Sequence, residues 1–551
     1  MRHAILPCMQ RLLERTWLAP CALIAAAILT YFPVLGFGFV DWDDPQILLQ
    51  NPLVRSFSPA IFWSYDPELY APLPYLTYQI EHALFGFRPT VFHATNLLLH
   101  MCVTLLACSL IRRLTGKGIL AFIAALLFTV HPVNAEAVSW ISARKELLSA
   151  AFGMAFLLSY TRAIDEGRSR WPAIGFFVLA LLSKVNIILL PLTLPLIDAW
   201  RGQPLTTASL KSKWPYAVLM VLFAIIAIGG KAGTLGSLSL LQTTLLAGQS
   251  LLFSLQKVFW PIGLSAIYPA PANAIQLMPG AFWLGLAATL VGGIFMLFRR
   301  DRAVCFGLSL LLLSLAPSWL AYQKSNDITL AADRYSYLPS IGVSMVIAAL
   351  VFRLATSETA QRLVLGLGII AACVLGSLAH TQAKAWRSTD ALFSNVLNAY
   401  PDSHVAKNNL GFAKLTGGKT DEAATLFADA IRLKPSYADA HVNLAAAYGK
   451  QGKLMDAESE ALTAIDIDPG NAQAHVVLAG TYFTAGLLPE ARLEYERTLQ
   501  IHPFHLQARF LLAQVLLKQS EAQAAEDLYR ALLREDPSYA GKSAALDGLL
   551  R

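Results

Sequence analysis

Three carboxylates, Asp41, Asp43 and Asp44, fall within one short stretch, Asp41-Trp42-Asp43-Asp44-Pro45, directly after a long apolar run. Carboxylates this close repel one another unless something uses them. They suit a divalent cation through oxygen ligands, or a general base acting on a hydroxyl; otherwise they cap a turn or face water. Complementary groups recur downstream. His131-Pro132-Val133-Asn134-Ala135-Glu136 leads to Trp140, Arg144, Lys145 and Glu146. Lys184 and Asn186 stand between two apolar runs, and Tyr322-Gln323-Lys324 precedes Asp333-Arg334-Tyr335-Ser336-Tyr337-Leu338-Pro339. Arginine and lysine suit a phosphate, carboxylates a hydroxyl or metal, and aromatic rings the face of a sugar. Interfacial anchoring accounts for Trp140 or Tyr337 singly, but not for both signs of charge converging at membrane depth, where ionisable groups are costly.

The elements that must position these residues are membrane helices. The chain has 551 residues, 56% of them hydrophobic and only 14% charged, with mean hydropathy +0.51; ordinary soluble proteins carry about 25% charged residues. Apolar runs approaching the ~20 residues of a bilayer crossing fill the chain up to about residue 380, beginning with Leu18 to Val40 and ending with Leu363 to Ala379, and give a count of about eleven spans. Leu240 to Trp260 is interrupted by Gln242, Gln249, Gln256 and Lys257 and reads as interfacial. Basic residues mark alternate connections: Arg2, Arg11 and Arg15; Arg112, Arg113 and Lys117; Arg162, Arg168 and Arg170; Arg201, Lys211 and Lys213; Arg299, Arg300 and Arg302; Arg353 and Arg362. Positive charge stays cytoplasmic. That makes the N-terminus cytoplasmic and puts the acidic loop outside. The net charge of +7 is spread over separate loops, which argues against nucleic acid as a partner. The first apolar run exceeds a signal-peptide core and reads as a retained span.

The polar remainder has its own regularity. Pro401, Pro435, Pro469, Pro503 and Pro537 recur every 34 residues, the period of the tetratricopeptide repeat, two antiparallel helices per unit. Leu410, Leu444, Leu478 and Leu512 keep one register, and Ala423, Ala457, Ala491 and Ala525 another, at the small-residue crossing of the two helices. Residues 386–551 therefore hold a half unit ending at Pro401, four repeats over about 402–537 and a capping helix; residues 1–385 form the membrane domain. The fold class is all-α, a polytopic bundle followed by an α-solenoid. With an odd span count the repeats lie outside the cytoplasm. Asn409 and Asn443 face their groove and suit a peptide backbone, though Val477 and Leu511 end that column.

Phe39-Val40-Asp41-Trp42-Asp43-Asp44, Phe92-His93-Ala94-Thr95-Asn96-Leu97-Leu98-Leu99-His100, His131-Pro132 with Glu136 and Arg144, and Asp333-Arg334-Tyr335 with Leu338-Pro339 together resemble one family. It is that of the transmembrane and tetratricopeptide-repeat O-mannosyltransferases and their bacterial relatives, in the GT-C superfamily. The resemblance implies a multi-pass inner (plasma) membrane enzyme that moves a sugar from a polyprenyl-phosphate carrier to an extracytoplasmic acceptor, a protein held by the repeats. It maps the essential acidic pair onto Asp43 and Asp44. Arg144, Lys145 and Arg334 are then the donor-phosphate contacts, and Asp41, His131, Glu136, Asp333 and Tyr335 position acceptor and sugar, or share a metal; a divalent cation is the one cofactor the residues suggest. Tyr70-Ala71-Pro72 departs from the Tyr-Arg-Pro-like triplet expected there, which removes one basic contact. Two other readings keep the same features: a non-catalytic membrane-anchored scaffold for envelope or secretion assemblies, and a lipid-linked glycan ligase.

Overall fold

The computed structural model describes residues 17–65, 70–231, 239–269, 276–298, 300–321, 323–324 and 327–550. Arg2, Arg11, Arg15, Arg299 and Tyr322 lie outside them. The chain divides into two compact units, Met1–Asn395 and Val396–Arg551.

The first unit is a bundle of apolar helices. Five are long and apolar enough to cross a bilayer: Leu18–Gly36, Pro89–Thr115, Ile141–Glu166, Asp333–Leu354 and Glu358–Arg387. Gly118–Thr129 and Pro132–Ser139 qualify together as a pair bent by 53°. Trp171–Ser183, Val185–Trp200, Trp214–Gly230, Pro279–Phe295 and Arg302–Ser318 are shorter apolar helices. Leu240–Phe259, the interfacial candidate, is a helix opened by a capping box between Ser239 and Gln242. Its buried face carries Leu245, Leu246 and Leu251.

Close helix packing in a bilayer needs small residues at the crossing. Helices Arg302–Leu315 and Tyr337–Leu354 meet at Gly307 and Gly342. A methyl group on Gly307 would stand 2.7 Å from the Gly342 carbonyl, so any larger residue forces the pair apart. One detail departs from an all-helical reading. Tyr268–Pro269, Asp327–Ala331 and Gln323–Lys324 form a three-stranded antiparallel sheet with Asp327–Ala331 in the middle. Tyr268 pairs with Ala331, which brings its ring beside the Asp333 turn.

The second unit stacks helix pairs: His404–Thr416 with Thr420–Leu433, Ala438–Lys450 with Leu454–Ile467, Ala472–Ala485 with Leu488–Ile501, and Leu506–Lys518 with Ala522–Glu535. Ala544–Leu549 follows, with Leu546 buried. The period holds in three dimensions. Ala423, Ala457, Ala491 and Ala525 are all fully buried, and a side chain at Gly411 would meet the Phe427 ring. A polar brace repeats as well. His441 bonds Glu460 at 2.6 Å and the Pro435 carbonyl at 3.0 Å. His475 makes the same pair of contacts with Glu494 and Pro469, and Arg509 with Glu535 and Pro503.

Candidate functional site

At one end of the bundle the first loop meets the segments around Trp140, Lys184 and Arg334. Asp44 is 1% exposed. Its Oδ2 accepts from the Val40 N–H at 2.9 Å and its Oδ1 from the Ser142 hydroxyl at 2.5 Å and N–H at 3.3 Å. Both oxygens are therefore spent on tying the loop to the segment ahead of Arg144. Burial pushes its carboxyl up to about 6, against the pull of those three donors. Asp43 differs. It is half-buried, and among the described residues its carboxylate takes no hydrogen bond or ion pair. It interacts through charge with Lys145 and Arg334.

Lys145 likewise has no hydrogen-bond partner among the described residues, and its ammonium lies in the field of Asp43, Lys184, Arg334 and Glu146. Arg334 donates from Nη1 to Glu136 Oε1 at 2.5 Å, and its backbone N–H donates to Glu136 Oε2 at 3.1 Å. The guanidinium lies 5.3 Å from the Trp140 ring centre and 4.9 Å from that of Tyr335. Lys184 sits 4.8 Å over the other ring contact of this group, Tyr335, and pairs with buried Glu146, whose second oxygen faces Asn186. Burial lowers the Lys184 pKa, with Glu146 opposing. The Trp140 indole N–H is buried with no partner among the described residues.

Asp333 is buried and accepts from the Tyr268 hydroxyl at 2.7 Å. Lys257 caps the same corner, donating to the carbonyls of Ile262 and Gly263 at 2.9 Å each and lying 5.3 Å over the Tyr268 ring. Asp333 thus belongs to the wall of the site. Asp41 contributes its backbone N–H to the Thr389 hydroxyl at 2.8 Å.

Two expected contacts are taken up by the scaffold. Arg144 is fully buried and spends four of its five donors on Asn96, Thr77, Glu81 and the Phe92 carbonyl, with its guanidinium 4.5 Å over Tyr78. As placed, it pins helices together rather than meeting a phosphate. His131 accepts from the Val133 N–H at Nδ1, so its Nε2 is the donor to the Val258 carbonyl at 2.8 Å; both ring nitrogens are committed. Ala71, at the departure from the expected triplet, is buried ahead of helix Pro72–Phe85. Among the described residues no group of three His, Cys, Asp or Glu side chains is placed to hold a metal. In the repeats, Asn409 donates to the Val405 carbonyl of its own helix and Asn443 to Asn408. Lys184, Glu146 and Tyr268 complete the site. The first two were visible as ionisable residues between apolar runs, whereas nothing local marks Tyr268.

Comparison with known proteins bears on both parts of the chain. Residues 70–229 match the family described as dolichyl-phosphate-mannose-protein mannosyltransferase, a span that contains Glu136, Lys145 and Lys184 but neither Asp43 nor Arg334. Residues 443–505 and 477–540 match tetratricopeptide repeat families, as do 411–452. Protein O-mannosyl-transferase TMTC1 of Homo sapiens is 35% identical over 163 residues, 27% of this chain and 18% of that protein. Protein O-mannosyl-transferase Tmtc3 of Drosophila melanogaster is 31% identical over 194 residues, 29% and 21% of the two chains. The matches thus span about a fifth of these relatives. A crystal structure of MamA, 20% identical, covers 28% of this chain and 89% of its own, with TM-score 0.25. The chain thus joins a segment that matches a mannosyltransferase family to tetratricopeptide repeats, the combination its sequence resembles.

Proposed function

We propose that this protein is a membrane glycosyltransferase that moves a sugar, mannose by the family it matches, from a polyprenyl-phosphate donor to a hydroxyl of a protein acceptor. The observation that carries this reading is the Asp43 carboxylate, without a hydrogen bond or ion pair among the described residues, in the field of Lys145 and Arg334, with Lys184 beside those cations. The acceptor oxygen attacks the anomeric carbon as the carbon–oxygen bond to the lipid phosphate breaks. Asp43 takes the hydroxyl proton. Lys145, Arg334 and Lys184 neutralise the charge growing on the departing phosphate. The Tyr335 ring stands beside the cations Lys184 and Arg334. Asp44 holds the loop, and Glu136 and Glu146 orient Arg334 and Lys184.

In this reading the eleven apolar segments all cross the inner membrane, with the N-terminus cytoplasmic and both the site and the repeats outside. The repeats hold the acceptor near the site and raise its effective concentration. The full chain, reconstituted in liposomes, should transfer mannose from a polyprenyl-phosphate carrier to a serine- and threonine-rich peptide. Asp43→Asn keeps shape but not basicity and should cost a factor of about 10²–10⁴. A wild-type rate in Asp43→Asn would remove Asp43 as the base; absence of transfer by the wild-type chain would leave a scaffold as the better account, and transfer of whole glycans in place of single sugars would favour a ligase.

A further inference from the structure

The end of the last apolar helix and the segment that follows it are fastened back onto the acidic loop. Trp42, between Asp41 and Asp43, stacks on Trp140 with centroids 5.3 Å apart and planes 17° from parallel. It also lies 6.3 Å from Trp386 at 9°, and Trp386 stacks on Trp140 at 5.3 Å and 23°. Phe393 closes against Trp42 at 5.7 Å. Trp140 and Trp386 are each 1% exposed. The Thr389 hydroxyl accepts the Asp41 N–H at 2.8 Å. Asp44 secures the other end of the loop through Val40 and Ser142. Among the described residues the carboxylates of Asp41 and Asp43 take no hydrogen bond or ion pair, and that of Asp43 interacts through charge with Lys145 and Arg334.

We propose that Trp386 and Thr389 are positioning residues for transfer: they hold Asp41 and Trp42 so that the Asp43 carboxylate stays turned toward Lys145 and Arg334. The segment leading to the repeats thereby belongs to the transfer machinery. The proposal rests on the reading of Asp43 given above. It goes further, because neither Trp386 nor Thr389 has chemistry of its own to offer a sugar or a phosphate. The donor's cationic contacts come from other segments, so loosening the loop should lower kcat and leave the donor KM near its wild-type value. A displaced base is costly, since about 1 Å of misplacement loses up to 10²-fold in rate.

The test uses the full chain in liposomes. Thr389→Val keeps the shape but removes the acceptor of the Asp41 N–H, and Thr389→Ser restores it. The expected result is a kcat at least tenfold lower in Thr389→Val at unchanged donor KM, with recovery in Thr389→Ser. Trp386→Phe should lower kcat in the same way and weaken the near-ultraviolet dichroism of the stacked indoles. Wild-type kcat in both Thr389→Val and Trp386→Phe overturns the proposal, as does loss confined to donor KM. Hydrogen exchange at Asp41 and Trp42 reads the clamp with no substrate at all. Faster exchange in Thr389→Val sustains it and unchanged exchange overturns it, even where a wild-type chain inactive on every acceptor has already sunk the transfer reading.

Discussion

Helices Pro89–Thr115 and Arg144–Glu166 carry charge at both ends, and the two ends are built differently. At one, Arg113 pairs with Asp165 at 2.8 Å and Glu166 at 2.6 Å, and Arg201 reaches Asp165 and the Arg113 carbonyl. Nearby, Asp198 takes Lys213 at 2.5 Å together with Tyr160 and Ser209. Each of these carboxylates has its cation, and the cluster closes on itself. At the other end Arg144, Glu136, Glu146 and Asp44 are equally well partnered, yet Asp43 and Lys145 are left over. Charge held partly buried without an ion pair is costly, so this difference between the two ends, among the described residues, points to the end with Asp43 and Lys145 for chemistry.

The contrast can be broken most sharply at Lys145. Lys145→Gln should lower transfer by about 10²–10³, the usual loss when one donor to a developing negative charge is removed; an unchanged kcat in the liposome assay would return Lys145 to the scaffold. A pH profile sharpens the difference between the two aspartates. Burial sets the Asp44 carboxyl near 6, and its protonated form loses one acceptor that the loop needs. Transfer should therefore fall as pH drops through about 6, and Asp44→Asn, slower throughout, should lack that limb.

A third measurement concerns the repeats, where charge serves stability. Glu460 raises the pKa of His441 above its ordinary value. A raised folded pKa gives stability that is complete below the unfolded value near 6.5 and is lost as pH rises through the folded one. The urea midpoint of the repeats should fall from pH 6 to pH 8, and His441→Gln should flatten that slope. The smallest effect belongs to the closed end. Arg113→Gln breaks ion pairs that are about a quarter exposed, worth roughly 0–1 kcal/mol. It should leave transfer untouched and move the melting temperature only slightly; a large loss of activity would mean that the two ends are coupled.

The repeats were fully legible because one period carries their whole fold: a proline column, a leucine column and an alanine column determine helix length, crossing and stacking. Of the candidate site, the convergence of several charged residues was legible. Asp43, Lys145, Glu136 and Arg334 do come together with Asp44, since ionisable residues interrupting apolar runs have few reasons to persist. Their division of labour was not legible. Arg144 and Lys145 are neighbours of like charge, and only packing puts one beneath Tyr78 and leaves the other facing Asp43. His131 looked like a site residue, and its two ring nitrogens turn out to satisfy backbone groups freed where a helix bends. The pairing of Tyr268 with Asp333 depends on a sheet formed by segments far apart in sequence, which no local pattern announces.

That bend, between Gly118–Thr129 and Pro132–Ser139, decides which parts of the protein are able to move. A broken helix exposes carbonyls that hydrocarbon cannot solvate, and here side chains claim three of them. Asn134, within the bend, donates to Phe128, and from elsewhere in the bundle His100 donates to Thr129 and Tyr31 to His131. A corner closed in this way is a fixed joint. Glu136, just beyond it, therefore presents Arg334 from a rigid mount. Under the transfer proposed above, an opening for the lipid-borne donor then falls to parts of the protein other than this joint.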